Sequence, residues 1–335
     1  MPPVDTSAPD PAPRLAGLSL GILRNPRSGA NLRAASAMDR VLAAHPGIPC
    51  REVQGPPSVA LALREMAERG VNVIAISGGD GTVHAVLDTV LGASPFARLP
   101  LLAVLRGGTA NMTARDIGMR GRQDRALAAL IQCVAQEGDG LVVTGRTVMR
   151  IDPGAGRAPL HGMFFGAAAI SQGIEYCKRN VHTLGLRGEI GPAVTVARFV
   201  IAMARGERAI MSPVPLTVAI DGGPATAFEC EIVQVTTLQH LVLGLRPYWG
   251  TEAAPLHYAS VRASPKHWIK ALPGLLTGRP NRYVTPANGY DSHNAHRIVM
   301  GLDSSFFVDG EIFSPTPGVP LTLTAGGTVE CVTLR

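Results

Sequence analysis

The sequence predicts two domains: an α/β unit built on a parallel sheet, then a β-rich, sandwich-like unit. Three observations carry this. Up to about Leu141, short apolar runs rich in β-branched residues alternate with stretches of helical periodicity, the pattern of strands joined by crossover helices. Three glycine-bearing loops, Asn25–Gly29, Gly78–Thr82 and Gly107–Asn111, each directly follow an apolar run. Beyond Leu141 the runs are short and punctuated by turn signals such as Asp221-Gly222-Gly223-Pro224 and Asp309-Gly310.

Taken in order, residues 1–13 hold five prolines and no apolar periodicity, and are expected to form a disordered tail. Residues 14–141 form the α/β unit. Leu18–Leu23 is its first strand and Leu32–Ala44 a helix closed by His45-Pro46-Gly47. A short strand at Cys50–Val53 leads to a helix over Val59–Arg69, with Ser58 as its cap and Gly70 as its stop. Val71–Ile76 is a buried strand, followed by the Gly78–Thr82 loop and a helix to about Leu91. Leu99–Leu105 is another strand, and helices over Met112–Ile117 and Asp124–Gln136 complete the unit.

Residues 142–335 form the β-rich unit, with strands expected at Leu141–Ile151, Leu216–Ile220, Phe228–Thr237, Leu256–Val261, Arg297–Leu302, Phe306–Val308 and Leu321–Leu323. Two helical inserts interrupt them. Ala193–Ala204 is apolar on most sides and flanked by arginines, while Pro265–Leu276 mixes basic and large apolar residues. Both suit core-packing helices, and both suit a greasy, basic-rimmed surface that meets a membrane. His293 and His296 are read as part of a surface loop rather than a metal site.

Composition bounds the function. With 335 residues, 46% hydrophobic and 17% charged, the chain can fill two cores. No apolar run approaches the roughly 20 residues of a spanning helix, and Met1–Asp5 shows no secretory pattern. The five scattered cysteines fit neither a zinc site nor a disulfide framework, so the expectation is a cytoplasmic protein with free thiols. A net charge of +6 suits anionic substrates or an anionic membrane surface. Dispersed arginines and few aromatics argue against a nucleic-acid partner. A homodimer is the base-rate expectation.

The loops carry the chemistry. A strand, a tight glycine turn and a helix start converge backbone N–H groups and a favourable dipole on one point, which suits an anion. Gly78–Thr82 alone reads equally well as a structural turn, and Asp80 at its centre opposes a bare phosphate while suiting one that arrives with a divalent metal. Three such loops in register describe a nucleotide cleft at the carboxyl ends of parallel strands.

Together these loops resemble the catalytic domain shared by diacylglycerol kinases, sphingosine and ceramide kinases, and bacterial lipid kinases. Asn25-Pro26-Arg27-Ser28-Gly29 matches N-P-x-S-G and Gly78-Gly79-Asp80-Gly81-Thr82 matches G-G-D-G-T. Leu105-Arg106-Gly107-Gly108-Thr109-Ala110-Asn111 is similar to P-x-G-T-x-N, and Asp309-Gly310-Glu311 to a late D-G-E. The resemblance implies a Rossmann-like nucleotide domain of the NAD kinase/phosphofructokinase kind, ATP with magnesium, and a lipid hydroxyl as acceptor, either diacylglycerol or a ceramide or sphingoid base. By position it places Asn25, Pro26, Arg27, Ser28, Gly29, Gly78, Gly79, Asp80, Gly81, Thr82, His84, Gly108, Thr109 and Asn111 at the nucleotide. Asp309 would be the general base, while Glu311 and Asp80 would complete the catalytic set and hold the metal. A lipid acceptor implies peripheral association with the inner face of the membrane. The acceptor pocket would lie in the second domain, near Met163-Phe164-Phe165-Gly166 and the helix from Ala193.

The chain departs from that pattern at four places. Met112 stands where many relatives have aspartate, the Gln54-Gly55 region where a threonine is often found, and His84 where asparagine is common. Glu252-Ala253-Ala254-Pro255-Leu256 replaces an Asp-Asp-Gly-x-Leu turn associated with a structural magnesium, so that site is not assigned. Two other functions compete with the lipid kinase. One is a soluble-substrate kinase of the NAD kinase type, which the lack of an Asn-Glu dipeptide disfavours. The other is a non-catalytic lipid- or nucleotide-binding regulator.

Overall fold

Four parallel strands form the first half of the sheet: β1 (Leu20–Arg24), β2 (Cys50–Glu52), β3 (Val73–Gly78) and β4 (Leu101–Arg106), in the order β2-β1-β3-β4. The computed structural model describes residues 15–175 and 212–335, the side chains of residues 33–36 aside. Residues 1–13 and the expected helix at Ala193–Ala204 lie outside the described residues. β1 and β3 are buried along their whole length, as strands covered on both faces must be. Helices α2 (Pro56–Glu68) and α3 (Asp80–Gly92) cover one face, where Val59, Leu63, Val86 and Leu87 pack on Ile74 and Ile76. Helices α1 (Asn31–Ala44) and α5 (Gln123–Ala135) cover the other, where Met38, Leu127 and Leu130 pack on Val73 and Ala75. A short helix, α4 (Met112–Asp116), follows β4. Helix α2 starts at Pro56 rather than after Ser58, because proline is well suited to a first helical turn; the Ser58 hydroxyl instead accepts the Gln54 amide at 2.8 Å.

The second half is antiparallel. It contains β5 (Leu141–Asp152), β6 (Leu160–Gly162), β7 (Phe164–Ala168), β8 (Val214–Ile220), β9 (Thr226–Thr236), β10 (Leu256–Arg262), β11 (Tyr290–Ala295), β12 (Arg297–Leu302), β13 (Phe306–Val308), β14 (Glu311–Phe313) and β15 (Leu321–Leu334). One further helix, α6 (Trp268–Thr277), lies between β10 and β11. The expected architecture is borne out: a parallel α/β first half, then an antiparallel β-rich second half.

β15 joins the halves. Leu321–Thr324 pair with β12, Cys331 pairs in parallel with Leu102 of β4, and the whole strand runs against β5. A bulge between Ala325 and Gly327 bends it on the way. At that bend a Cβ on Gly326 would lie 2.6 Å from the Arg150 Cβ, so the backbones meet too closely for any side chain. The parallel and antiparallel halves are therefore one hydrogen-bonded sheet.

Met163-Phe164-Phe165-Gly166 enters strand β7, where Phe165 is fully buried against Phe306 in the core; the helix from Ala193, expected beside it at the acceptor pocket, lies outside the described residues. One sequence reading needs correction. His293 is not in a surface loop but on β11, opposite Tyr258 of β10, while His296 follows that strand. Polar alternation in Tyr290–Ala295 hid the strand, since Asp, Ser, His and Asn are poor strand formers. Among the described residues, Cys50, Cys133, Cys230 and Cys331 are free thiols. No described helix is long and apolar enough to cross a membrane.

Candidate active site

β1, β3 and β4 are hydrogen-bonded neighbours, so the loops that leave their carboxyl ends stand side by side. Glycines let them touch. A Cβ on Gly107 would lie 2.6 Å from the Gly78 nitrogen, and one on Gly108 would lie 2.5 Å from the Gly79 Cα. On the other side, a Cβ on Gly29 would collide with the Thr109 hydroxyl. Side chains then stitch the loops together. The Asn25 amide donates to the Thr82 hydroxyl at 3.0 Å, and the Ser28 hydroxyl accepts the Gly79 N–H at 3.2 Å. Asn111, in a left-handed conformation (φ 50°), accepts the Gly108 N–H at 2.7 Å and returns a bond to the Gly108 carbonyl at 2.9 Å. Pro26 and Arg27 form the turn at the rim, with the Arg27 N–H on the Asn25 side chain, and Thr109 is exposed.

A buried hub that carries no motif supports these loops. The Asn31 amide donates to the carbonyls of Asn25 (2.7 Å) and Ser77 (2.9 Å). The Gln123 amide donates to the Asn31 side-chain oxygen at 2.7 Å. The Ser77 hydroxyl lies within hydrogen-bond reach of both Asn31 and Gln123. Sequence reasoning missed all three. Buried, fully bonded polar side chains fix geometry because an unsatisfied one would be costly.

The late Asp309-Gly310-Glu311 segment closes onto the Gly78–Thr82 loop from the second half of the chain. It is a two-residue hairpin turn between β13 and β14, with Val308 paired to Glu311 and positive φ at Asp309 (39°) and Gly310 (112°). The hairpin reading of Asp-Gly and the site reading are both true of it. A Cβ on Gly310 would lie 2.8 Å from the Gly81 nitrogen, and the exposed Glu311 carboxylate stands 3.1 Å from where a Gly81 Cβ would be.

Asp309 is 1% exposed, and its carboxyl accepts the N–H groups of Met163 (2.6 Å) and Phe164 (2.9 Å). Burial pushes its pKa up to about 8, opposed by the Met163 amide; the nearby charges of Asp80 and Asp88 raise it further. Asp80, at the first position of α3, turns its carboxylate onto the start of α4. There it accepts the Met112 N–H at 3.2 Å and the Thr113 N–H at 2.9 Å. Desolvation raises its pKa, while those amides pull the other way. Met112 thus serves the site through its backbone, and its side chain joins the core.

The structure does not bring His84 to the loop surface. It is 2% exposed, its Nδ1 donates to the His161 carbonyl at 2.9 Å, and its ring meets Phe313 edge-on. His84 and Asp88 lie four residues apart along α3, on a stripe facing β6. Asp88 accepts the His161 backbone N–H and stands 3.5 Å from His84 Nε2 and 3.3 Å from His161 Nδ1. His161, buried in β6 one residue before Gly162, was invisible in the sequence because no motif surrounds it.

Hard oxygen donors surround Gly81, but no described cluster of three or more His, Cys, Asp or Glu residues is arranged to hold an ion. Asp80 and Asp309 already receive a backbone N–H on each carboxylate oxygen, whereas Glu311 is exposed. That donor set suits magnesium that arrives on a nucleotide, an ion held by one or two carboxylates plus phosphate oxygens and water. It does not form an all-protein cage. At the fourth departure, Glu252 accepts His293 Nδ1 at 2.7 Å and the Asn294 N–H at 2.9 Å, so side chains of this chain tie that turn.

Comparisons with known proteins agree with this geometry. Residues 19–143 match the sequence model of the diacylglycerol kinase catalytic domain, which bears out the resemblance read from the motifs over that segment. No curated protein matches the chain. A crystal structure of a diacylglycerol kinase from Bacillus anthracis str. Sterne is 18% identical, with a TM-score of 0.58, over 95% of this chain and 96% of that one. A protein of the same organism provisionally named a diacylglycerol kinase is 18% identical, with a TM-score of 0.64, over 95% and 96% of the two chains. At that identity the likeness establishes the shared two-part fold.

Proposed function

From an N-terminal domain of the diacylglycerol kinase catalytic type, we propose that the chain transfers the γ-phosphoryl group of ATP to the hydroxyl of a lipid. The observation that supports this reading is the seating of Asp309-Gly310-Glu311 on Gly81, which brings the buried Asp309 carboxyl and the exposed Glu311 carboxylate beside the three glycine loops. Phosphoryl transfer requires alignment and neutralised charge more than covalent help from the protein. The loops at Asn25–Gly29, Gly78–Thr82 and Gly107–Asn111 supply the cradle. Asp309 takes the proton of the acceptor hydroxyl while its oxygen attacks the γ-phosphorus, and ADP leaves with the bridging oxygen. The Met163 and Phe164 amides hold that carboxyl in place, and each oxygen keeps a lone pair for the incoming proton. Glu311 would hold magnesium together with the phosphates, and the ion would neutralise their charge. Asp80 organises the α4 start rather than reaching out.

The test is transfer of labelled γ-phosphate from ATP to a lipid extract, repeated with defined diacylglycerol and ceramide. A lipid-migrating product that is lost in Asp309→Asn supports the proposal and names the acceptor. Label transferred only to a soluble acceptor such as NAD, or binding of ATP and lipid without any product, overturns it.

A further inference from the structure

Helix α6 is buried on one side and, among the described residues, exposed on the other. Ala271, Gly274 and Leu275 are buried against Val261, Val284 and Tyr290. The carboxyl end of the helix is clamped at Gly278 (φ 65°), where a Cβ would lie 2.5 Å from the Arg246 carbonyl oxygen. The helix therefore cannot roll to hide its outer face. That face carries Ile269, Pro273 and Leu276, spaced four and three residues apart on one stripe, and Ile269 is 72% exposed. It is the most exposed large hydrophobic residue recorded in the described core and surface.

Charge marks what the face meets. Residues 263–290 contain Lys266, Lys270, Arg279 and Arg282 and no aspartate or glutamate, and all four cations are exposed. Two of them are fixed rather than free: the Lys270 ammonium and the Arg282 guanidinium lie 5.4 and 4.9 Å from the centre of the same Tyr283 ring. Glu231 touches the segment at Ser264, ahead of the helix. A rigid apolar stripe with an all-basic rim is the pattern of a helix that lies in the plane of an anionic bilayer, with its apolar side chains at the acyl boundary and its cations at the headgroups.

We propose that α6 docks the protein on an anionic lipid bilayer, with Ile269, Pro273 and Leu276 entering the interface and the four cations contacting headgroups. As the means of meeting a membrane-borne acceptor, it rests on the lipid-kinase reading.

The experiment measures partition of the full chain onto vesicles of mixed phosphatidylglycerol and phosphatidylcholine, and onto phosphatidylcholine alone. Expected are binding to the mixed vesicles that weakens as salt rises, more than about ten-fold loss in Ile269→Glu, and roughly five-fold loss in Lys270→Gln. Leu61→Glu, at a residue 57% exposed on α2, is the control and keeps wild-type binding. Unchanged melting of Ile269→Glu excludes misfolding as the cause. Equal binding to both vesicle types, or equal loss in Ile269→Glu and Leu61→Glu, overturns the proposal. So does a change of oligomeric state in Ile269→Glu without a change in vesicle binding, which would assign the face to a second copy of the chain. Lipid phosphorylation in detergent micelles separates the two readings. If it persists while vesicle binding ignores Ile269, the docking inference fails alone; if it is absent while vesicle binding needs Ile269, the kinase reading fails alone.

Discussion

Gly310 rests directly on the backbone of Gly81: a Cβ at position 310 would lie 2.8 Å from the Gly81 nitrogen. Two segments from opposite halves of the chain are thereby locked at their most compact point, with no side chain between them. Gly310 also has φ 112°, a conformation that L side chains rarely adopt.

Gly310→Ala should therefore fail on two counts. Backbone strain of about 1–3 kcal/mol lowers the melting temperature, and the hairpin must lift off Gly81. Asp309 then leaves its place beside the cleft. The expected result is a folded protein that still binds ATP but has lost most phosphoryl transfer, read by nucleotide titration beside the transfer assay. Wild-type turnover in this variant would show that the contact does not position the base.

The pKa of Asp309, pushed up to about 8, predicts a pH profile. A general base works deprotonated, so kcat/KM should rise with pH and level off above about 8. Stability should move the other way. The folded carboxyl binds its proton more tightly than an unfolded one at 3.8, so stability is full at low pH and falls as pH rises through that window. Asp309→Asn removes the ionisation but turns an NH2 onto one of the two amides the carboxyl accepts, so it should lose activity and also lose the fall in melting temperature that wild type shows between about pH 4 and 8. The same fall in this variant as in wild type contradicts the burial argument.

The parts of this site that could be read in the sequence are those where the backbone itself is the functional group. Gly107, Gly108 and Gly310 are glycines because another chain segment occupies the Cβ position, and Gly78 because the Thr82 side chain does; such demands leave short, recognisable strings. Asn31, Ser77 and Gln123 join one another through side-chain bonds that span 46 to 92 residues, and His161 bonds Asp88 and His84 through its backbone N–H and carbonyl, 73 and 77 residues away; spacing along the chain carries no trace of that. The fold shows the same division. β1, β3 and β4 announce themselves as continuous apolar runs because both faces are covered. β15 was expected to stop at Leu323 but runs to Leu334. Its Gly326-Gly327 bulge and exposed Thr328 interrupt the alternation that marks a strand. The link between the two halves of the sheet was accordingly the least legible part of the architecture.

Asp88 should tune the base from two turns further along α3. Its charge helps to raise the Asp309 pKa, and its carboxylate accepts the N–H of His161, which lies two residues before Met163. Asp88→Asn removes the charge and keeps a hydrogen-bond acceptor. The rising limb of the pH–rate profile should shift to lower pH, with the KM for ATP little changed. Asp88→Ala, which also leaves the His161 amide without its partner, should in addition cost about 1–3 kcal/mol of stability. An Asp88→Asn profile superimposable on wild type would reduce Asp88 to a structural link.

The turn at Glu252 yields an acid-specific prediction. The Asn294 amide and then the His293 imidazole hold the Glu252 carboxyl down at about 2, against an ordinary 4.5. A depressed carboxyl contributes stability that is complete above the unfolded value and is lost as pH falls from about 4.5 towards 2. His293 is itself bracketed, with Nδ1 at 2.7 Å from Glu252 and Nε2 at 3.2 Å from Asp291, so one imidazole ties the turn to β11 through two carboxylates. Glu252→Gln should converge on wild type only below about pH 2, where the Glu252 carboxyl is protonated, and should melt below wild type at pH 5 to 6. Because the pair is half-exposed, the difference should be small and should shrink as salt is added. Added magnesium should leave the wild-type melting temperature unchanged if these side chains alone secure the turn. A rise with magnesium that Glu252→Gln abolishes would instead assign Glu252 to an ion.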